Sequence, residues 1–289
     1  MSASERRAAA APGLRSGATR EGAALESTTK RVESTARDSL LIAGRNLRVL
    51  RKNPGRLIYP LVQPVVLLVM FVSVFGNLAL SSRGGSFAGV SYREFLIPGI
   101  MIENATLTAP TTGLALLRDA SSGLADRFRS LPMSRSAVLI GRLVSDSVVF
   151  AAQAVLLVAV GCGLGLRVRG GAPVMLAVIV AVVFFALAIA ALSAWLGLLI
   201  NDPETAERVL FFPAIALAFV SSAFAPVGLL AGWMQPVARA NPVTAACGVI
   251  RSLTAGGGLA FPLLELACWG AVLFLVPGVL AVRRWQAPA

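Results

Sequence analysis

Histidine is absent from the 289 residues, lysine occurs twice and cysteine three times. With no histidine, neither a His-based catalytic triad nor a zinc–histidine site is available. The two lysines, Lys30 and Lys52, lie in no G-x-x-x-x-G-K context. A phosphate-cradling loop needs that lysine, so ATP hydrolysis is not expected of this chain. Cys162, Cys247 and Cys268 are far apart and form no CxxC pair, which argues against a disulfide framework or a thiolate metal site. Carboxylates without a partner histidine do not read as acid–base machinery. Long polar segments are also scarce. Outside the apolar runs the longest is the N-terminal tail, and nothing there is large enough to expect a soluble domain.

What the chain has in abundance is apolar surface. Hydrophobic residues make up 56% of it and charged residues only 14%, with a mean hydropathy of +0.78. The apolar residues fall into six runs of roughly 20, about what a helix needs to cross a ~30 Å hydrocarbon core. The expectation is an all-α integral membrane protein. Its six transmembrane helices are placed near 57–79, 95–116, 137–164, 173–200, 207–226 and 259–282.

The formal net charge of +12 raises the question of nucleic acid, but 12 of the 26 Lys and Arg fall in residues 1–56. No basic stripe is interleaved with aromatics as a nucleic-acid face requires. Positive charge flanking apolar spans is instead a topology signal, and a basic tail also suits anionic headgroups. A lipid bilayer is therefore the expected partner, and no nucleic acid. With the N-terminus inside, inner segments hold 20 Lys and Arg and outer segments 6. Six spans then leave both termini cytoplasmic, in a prokaryotic cell membrane. That bias depends on the tail and the segment after it, because without them it shrinks to 8 against 6.

Residues 1–36 are rich in Ala, Ser, Thr, Gly and Arg and carry few large apolar side chains. They read as a disordered cytoplasmic tail with no apolar core of a signal peptide. In residues 37–56, Leu40, Ala43, Leu47 and Leu50 recur at helical spacing beside Arg45, Arg48, Arg51 and Lys52. That pattern predicts an amphipathic helix lying in the interface, ended by Asn53-Pro54-Gly55. The membrane domain proper is expected over 57–285. Between the fifth and sixth spans, Ser221 to Thr244 is apolar but interrupted by Pro226, Gly232, Pro236 and Pro242, with Trp233 suited to a headgroup-level anchor. It reads either as a re-entrant segment dipping from outside or as an apolar outer loop.

One long polar loop separates the second and third runs. It carries Arg118-Asp119, Gly123, Asp126-Arg127, Leu131-Pro132 and Ser134-Arg135 in that order. At the other end, Phe224, Pro226, Trp233, Pro236, Asn241 and Pro242 punctuate the segment after the fifth run. Together with Asn201-Asp202-Pro203-Glu204 before that run, these motifs resemble the type-2 (ABC-2) permeases of ATP-binding-cassette exporters. The nearest subgroup is the daunorubicin/doxorubicin-resistance-like permeases. The resemblance covers residues 37–285; Asp119 and Asp126 stand where the family commonly has Glu, which keeps the charge with a shorter reach.

The resemblance implies a non-catalytic permease subunit that exports a hydrophobic or amphipathic substrate such as a drug, antibiotic or lipid. It implies a separate ATPase subunit holding the ATP and Mg, and a second permease chain completing a homo- or heterodimer. No cofactor is then bound by this chain. The ATPase-coupling loop would comprise Arg118, Asp119, Gly123, Asp126, Arg127, Leu131, Pro132 and Arg135. Its acidic and basic side chains would make charge-assisted contacts with the ATPase.

Polar groups inside apolar runs are costly and invite functional readings. Glu103, Asn104 and Thr106 either line a substrate pathway or hydrogen-bond between helices. Phe212 and Phe219 suit an apolar pathway or, with Phe211, a seam with a second chain. Asp146, near the cytoplasmic end of its run, reads either as interfacial or as paired with Arg142, four residues before it. Three alternatives to a drug or lipid exporter remain at this point, one of them a non-transporting membrane sensor or assembly factor. A polysaccharide or glycolipid exporter of the same superfamily would favour rows of stacking aromatics, whereas aromatics are 7% here. A stand-alone secondary transporter would favour internal repeats, and none is apparent.

Overall fold

Apolar runs that lack a polar face can bury themselves on every side only in lipid or against one another. The computed structural model shows helices packed in that way. It describes Gly44 and residues 55–75, 91–121 and 135–286. Among them the secondary structure is entirely helical. We number the helices α1 Gly55–Phe75, α2 Tyr92–Thr108, α3 Pro110–Ser121, α4 Arg135–Gly163, α5 Gly171–Gly197, α6 Pro203–Phe219, α7 Met234–Arg239, α8 Pro242–Ala255, α9 Ala260–Gly270 and α10 Val276–Gln286. A single π-helical turn, Ala271–Leu275, joins α9 to α10.

Among the described residues three stretches are long and apolar enough to cross a membrane: Leu139–Gly163, Gly171–Gly197 and Ala260–Val282. Leu61–Val74 is a shorter apolar helix. The expected tail, the interfacial helix apart from Gly44 and residues 55–56, and most of the charged loop lie outside the described residues.

α5 is the centre of the bundle and packs on α2, α3, α4, α8 and α10. Its second half presents Phe185, Ala186, Ile189, Ala190 and Ala194 to the core, all nearly inaccessible. Small side chains there permit close approach. A Cβ on Gly113 of α3 would sit 2.1 Å from the Ser193 carbonyl oxygen, and one on Gly197 would sit 2.5 Å from that of Gly113. α3 and α5 therefore touch backbone to backbone, the packing that small residues favour where lipid gives helices no hydrophobic drive to associate.

Two predicted spans differ from the structure. The second, expected as one helix over 95–116, is α2 followed by α3. The path stays helical through Ala109 (φ −56°, ψ −35°), but Pro110 has no N–H to continue the ladder. The buried Ser193 hydroxyl lies 3.0 Å from the Ala109 carbonyl at this break. The fifth span, expected over 207–226, begins earlier at Pro203 and ends at Phe219. Asp202 caps its start. At its end Val220 leaves the helical region (φ −88°, ψ 56°), and the Asn241 amide donates to the carbonyls of Leu217 and Val220. A side chain more than 20 residues downstream thus supplies donors to the last turn, whose carbonyls have no intrahelical partner.

Candidate functional site

The candidate residues gather toward two ends of the bundle. At one, α3 leads into and α4 leads out of the charged loop, near the α5–α6 turn. At the other, the start of α2 meets residues 221–223 and α8.

At the loop end, the Thr112 hydroxyl on α3 donates to Asp146 Oδ2 on α4 at 2.7 Å. Arg142, one turn before Asp146, donates Nε to the same oxygen at 3.0 Å. Thr112 is inaccessible and Asp146 is 9% exposed. The expected Arg142–Asp146 pair is present, and Thr112 extends it across to a second helix. Burial strengthens such charge-assisted bonds and makes an unpaired partner expensive. Beside them, Leu116, Leu139, Ala194 and Ala281 form a small apolar cluster joining α3, α4, α5 and α10. At the α5–α6 turn, Asp202 accepts a hydrogen bond from the Thr205 backbone at 2.7 Å. Hydrogen bonding from Thr205 is the main cause that holds the Asp202 carboxyl below its ordinary range. Glu204 and Arg208 pair one turn apart on the exposed face of α6.

Arg118 is exposed at the end of α3 and Asp119 is half-buried beside it. Arg135 opens α4. Gly123, Asp126, Arg127, Leu131 and Pro132 lie outside the described residues.

In mid-bundle, Glu103 is buried at 5% exposure. It shares the face of α2 that carries Gly99, one turn away. Asn104 donates to Gln153 of α4 at 3.5 Å and accepts from Thr108. The Thr106 hydroxyl is turned back on the Ile102 carbonyl at 2.8 Å, a bond that satisfies it within its own helix. Thus Glu103 and Thr106 lie inside the bundle, while Phe212 and Phe219 are exposed on α6. Phe219 stacks on Phe224 (centroids 5.4 Å apart), which in turn stacks on Phe71 of α1 (5.3 Å). The three rings form an aromatic row linking α1, the 221–225 turn and α6.

At the far end, Ser91 and Glu94 close a capping box that starts α2. Two turns into α2, a Cβ on Gly99 would lie 1.9 Å from the Ala223 carbonyl oxygen, so only glycine admits the 221–223 turn there. Arg251, on α8, knots this region together. Its guanidinium donates to the carbonyls of Phe95, Ser222 and Ala223 and to the Ser222 hydroxyl at 2.8–3.3 Å. Its central carbon lies 3.6 Å from the centroid of the Phe95 ring. The planar fork of arginine suits this convergence of acceptors with an aromatic face. The Thr244 hydroxyl accepts from the Ser222 N–H at 3.0 Å, and Asn241 both caps α8 and holds the end of α6. Asn241 and Pro242 are therefore buried joints. Phe224 and Pro226 are half-buried, whereas Trp233 and Pro236 are exposed around α7.

Arg251 and α8 as a helix were not anticipated from the sequence. The available signal was a lone arginine inside Val249-Ile250-Arg251, since a charge amid apolar residues ordinarily marks a built contact. Among the described residues no group of three or more acidic, Cys or His side chains is arranged to hold a metal ion.

Comparison with known proteins places this geometry among relatives. The family model described as ABC-2 type transporter matches residues 39–254. The chain is similar to a daunorubicin resistance ABC transporter permease protein of Streptomyces coeruleorubidus, 28% identical over 84% of this chain and 83% of that protein. It is 28% identical to a probable doxorubicin resistance ABC transporter permease protein of Mycobacterium tuberculosis, over 78% of this chain and 80% of the relative. A putative transport permease of Cyanophora paradoxa is 27% identical over 71% and 69%.

Proposed function

The chain belongs to the ABC-2 type transporter family, and from that premise we propose that it is the export permease of a complex powered by a separate ATPase. It is an ABC-2 permease of the drug-resistance exporter type. Two permease chains and two ATPase subunits form the working unit, and the cargo is hydrophobic or amphipathic: a drug, an antibiotic or a lipid. The observation that carries this reading is the single match over 39–254, which embraces both the charged loop and the Arg251 knot.

In this reading six membrane crossings are made by α1, α2 with α3, α4, α5, α6, and α9 with α10. Residues 37–56 lie along the cytoplasmic interface. The loop between α3 and α4 faces the ATPase, with Arg118, Asp119, Gly123, Asp126, Arg127, Leu131, Pro132 and Arg135 as its docking segment. Both termini are cytoplasmic, in the cell membrane. Residues 221–258 form the re-entrant hairpin of the outer side. The length of α8 supports this, since its 14 residues span about 21 Å, short of a ~30 Å core. Glu103, Asn104 and Thr106 supply polarity along the pathway, and Phe212 and Phe219 an apolar wall. The Glu103 carboxylate would attract a cargo ammonium group.

Reconstitution in proteoliposomes with the cognate ATPase tests the proposal. ATP-dependent accumulation of a fluorescent hydrophobic amine is expected, abolished when the ATPase carries an inactivated Walker glutamate. Glu103→Gln should lower transport of the amine by about tenfold, the scale of one lost charge-assisted contact, and leave a neutral isostere unaffected. Accumulation that persists with the inactive ATPase would refute the exporter assignment. An equal loss for both cargoes would remove Glu103 from the pathway.

A further inference from the structure

We propose that Thr112 and Asp146 are positioning residues that fasten α3 to α4, so that the two helices flanking the charged loop move as one arm. The inference rests on the exporter reading above and adds the residues through which the loop would act. Its basis is geometric. Thr112 and Asp146 are 34 residues apart in sequence, yet the hydroxyl lies 2.7 Å from the carboxylate oxygen. Arg142 converges on the same oxygen, so the acceptor is held from its own helix as well as from the neighbour.

An i,i+4 ion pair alone would be a local matter within α4, of small value where exposed. This one is largely buried, and its carboxylate is shared with a helix on the other side of the loop. Thr112 lies next to Gly113, whose backbone abuts Ser193 and Gly197 of α5. The carboxylate therefore connects α4 to the backbone-to-backbone contact of α3 with α5. Above this level the helix ladder is interrupted at Pro110, where α2 gives way to α3. A push on the loop is thus delivered to α3, α4 and α5 together. Without the hydroxyl–carboxylate bond, α3 and α4 would splay, and displacement of the loop would dissipate locally.

Thr112→Val is the decisive variant, because it removes the hydroxyl at nearly constant shape and leaves the Arg142–Asp146 pair in place. In the reconstituted complex, transport per ATP hydrolysed should fall by about tenfold, the scale of one hydrogen bond to a charged group. The rate of ATP hydrolysis itself should hold. Thr112→Ser, which keeps the donor, should restore the ratio. Spin labels on the exposed positions Thr111 and Ile140 give a readout independent of transport. Their distance distribution should be narrow in the parent and in Thr112→Ser, and broad in Thr112→Val. An unchanged distribution, or a Thr112→Val protein that is merely less heat-stable with its transport-to-ATP ratio intact, would overturn the proposal. If the parent complex shows no ATP-driven transport while the label distances still respond, the exporter reading fails and the fastening of α3 to α4 stands.

Discussion

At the Arg251 end of the bundle one guanidinium meets mostly backbone carbonyls, those of Phe95, Ser222 and Ala223. At the loop end one carboxylate oxygen meets two side chains, Thr112 and Arg142. Both are buried charges with partners on a neighbouring element, but their consequences differ. The Ser222 and Ala223 carbonyls, in the turn after α6, cannot be supplied by a helix ladder, and burying them unpaired is costly. Arg251 therefore holds an irregular stretch of chain in place. The Thr112–Asp146 bond instead joins two regular helices whose own ladders are complete without it. The first contact is a condition of the fold; the second sets how two already formed helices move.

This contrast predicts a graded series of effects. The largest belongs to Gly99→Ala, whose Cβ would meet the Ala223 carbonyl at 1.9 Å. Loss of about 3 kcal/mol or more is expected, as overpacking against immovable backbone is at the upper end of such costs. Thermal unfolding in detergent should show it, while Gly163→Ala, with open space around it, should leave the midpoint unchanged. If both alanine variants behave alike, α2 does not meet the 221–223 turn as described.

Next comes Arg251→Ala, which takes the guanidinium donors from the Ser222 and Ala223 carbonyls and should cost about 2–3 kcal/mol. Arg251→Lys should recover little of it, because a single ammonium cannot serve Phe95 and Ser222 in one plane. Full rescue by lysine would show that charge rather than the fork matters there.

The smallest effect is at the loop end, on Asp202. Hydrogen bonds from Thr205 favour its ionised form and lower its folded-state pKa from 3.8. A group depressed on folding stabilises above its unfolded value and loses that contribution as pH falls through the folded one. Wild-type protein should therefore lose slightly more stability than Asp202→Asn on acidification below pH 3.8, read as midpoint against pH. Parallel curves would mean that the carboxylate contributes nothing beyond a neutral cap.

Much of the helical plan was legible in the chain. α4 and α5 lie within a few residues of the runs expected at 137–164 and 173–200, and α9 with α10 covers that at 259–282. Each is an uninterrupted apolar run in which backbone groups are satisfied within the segment, so its limits are a local property. The end of α6 was not legible, since Asn241 supplies the donors that let the chain leave the helix at Val220. Neither was α8, because Pro and Gly upstream made the whole segment read as irregular, whereas Pro242 in fact occupies the first turn of a helix and Asn241 its cap. For the candidate sites, Arg142–Asp146 followed from helical spacing. Thr112 did not, since nothing local to it names an acceptor 34 residues away.

By itself, then, the sequence determined that this chain is a bundle of apolar helices with a charged loop at one end and a broken segment at the other. Length, hydropathy and the order of motifs are properties of contiguous residues, and so were the family features they resembled. Tertiary structure alone decided which carbonyls Arg251 satisfies, that Gly113 and Ser193 touch without intervening side chains, and that Thr112 reaches Asp146. These contacts join residues 28 to 156 positions apart, and a hydrogen bond only a few ångströms long exists only once packing has brought both ends into register.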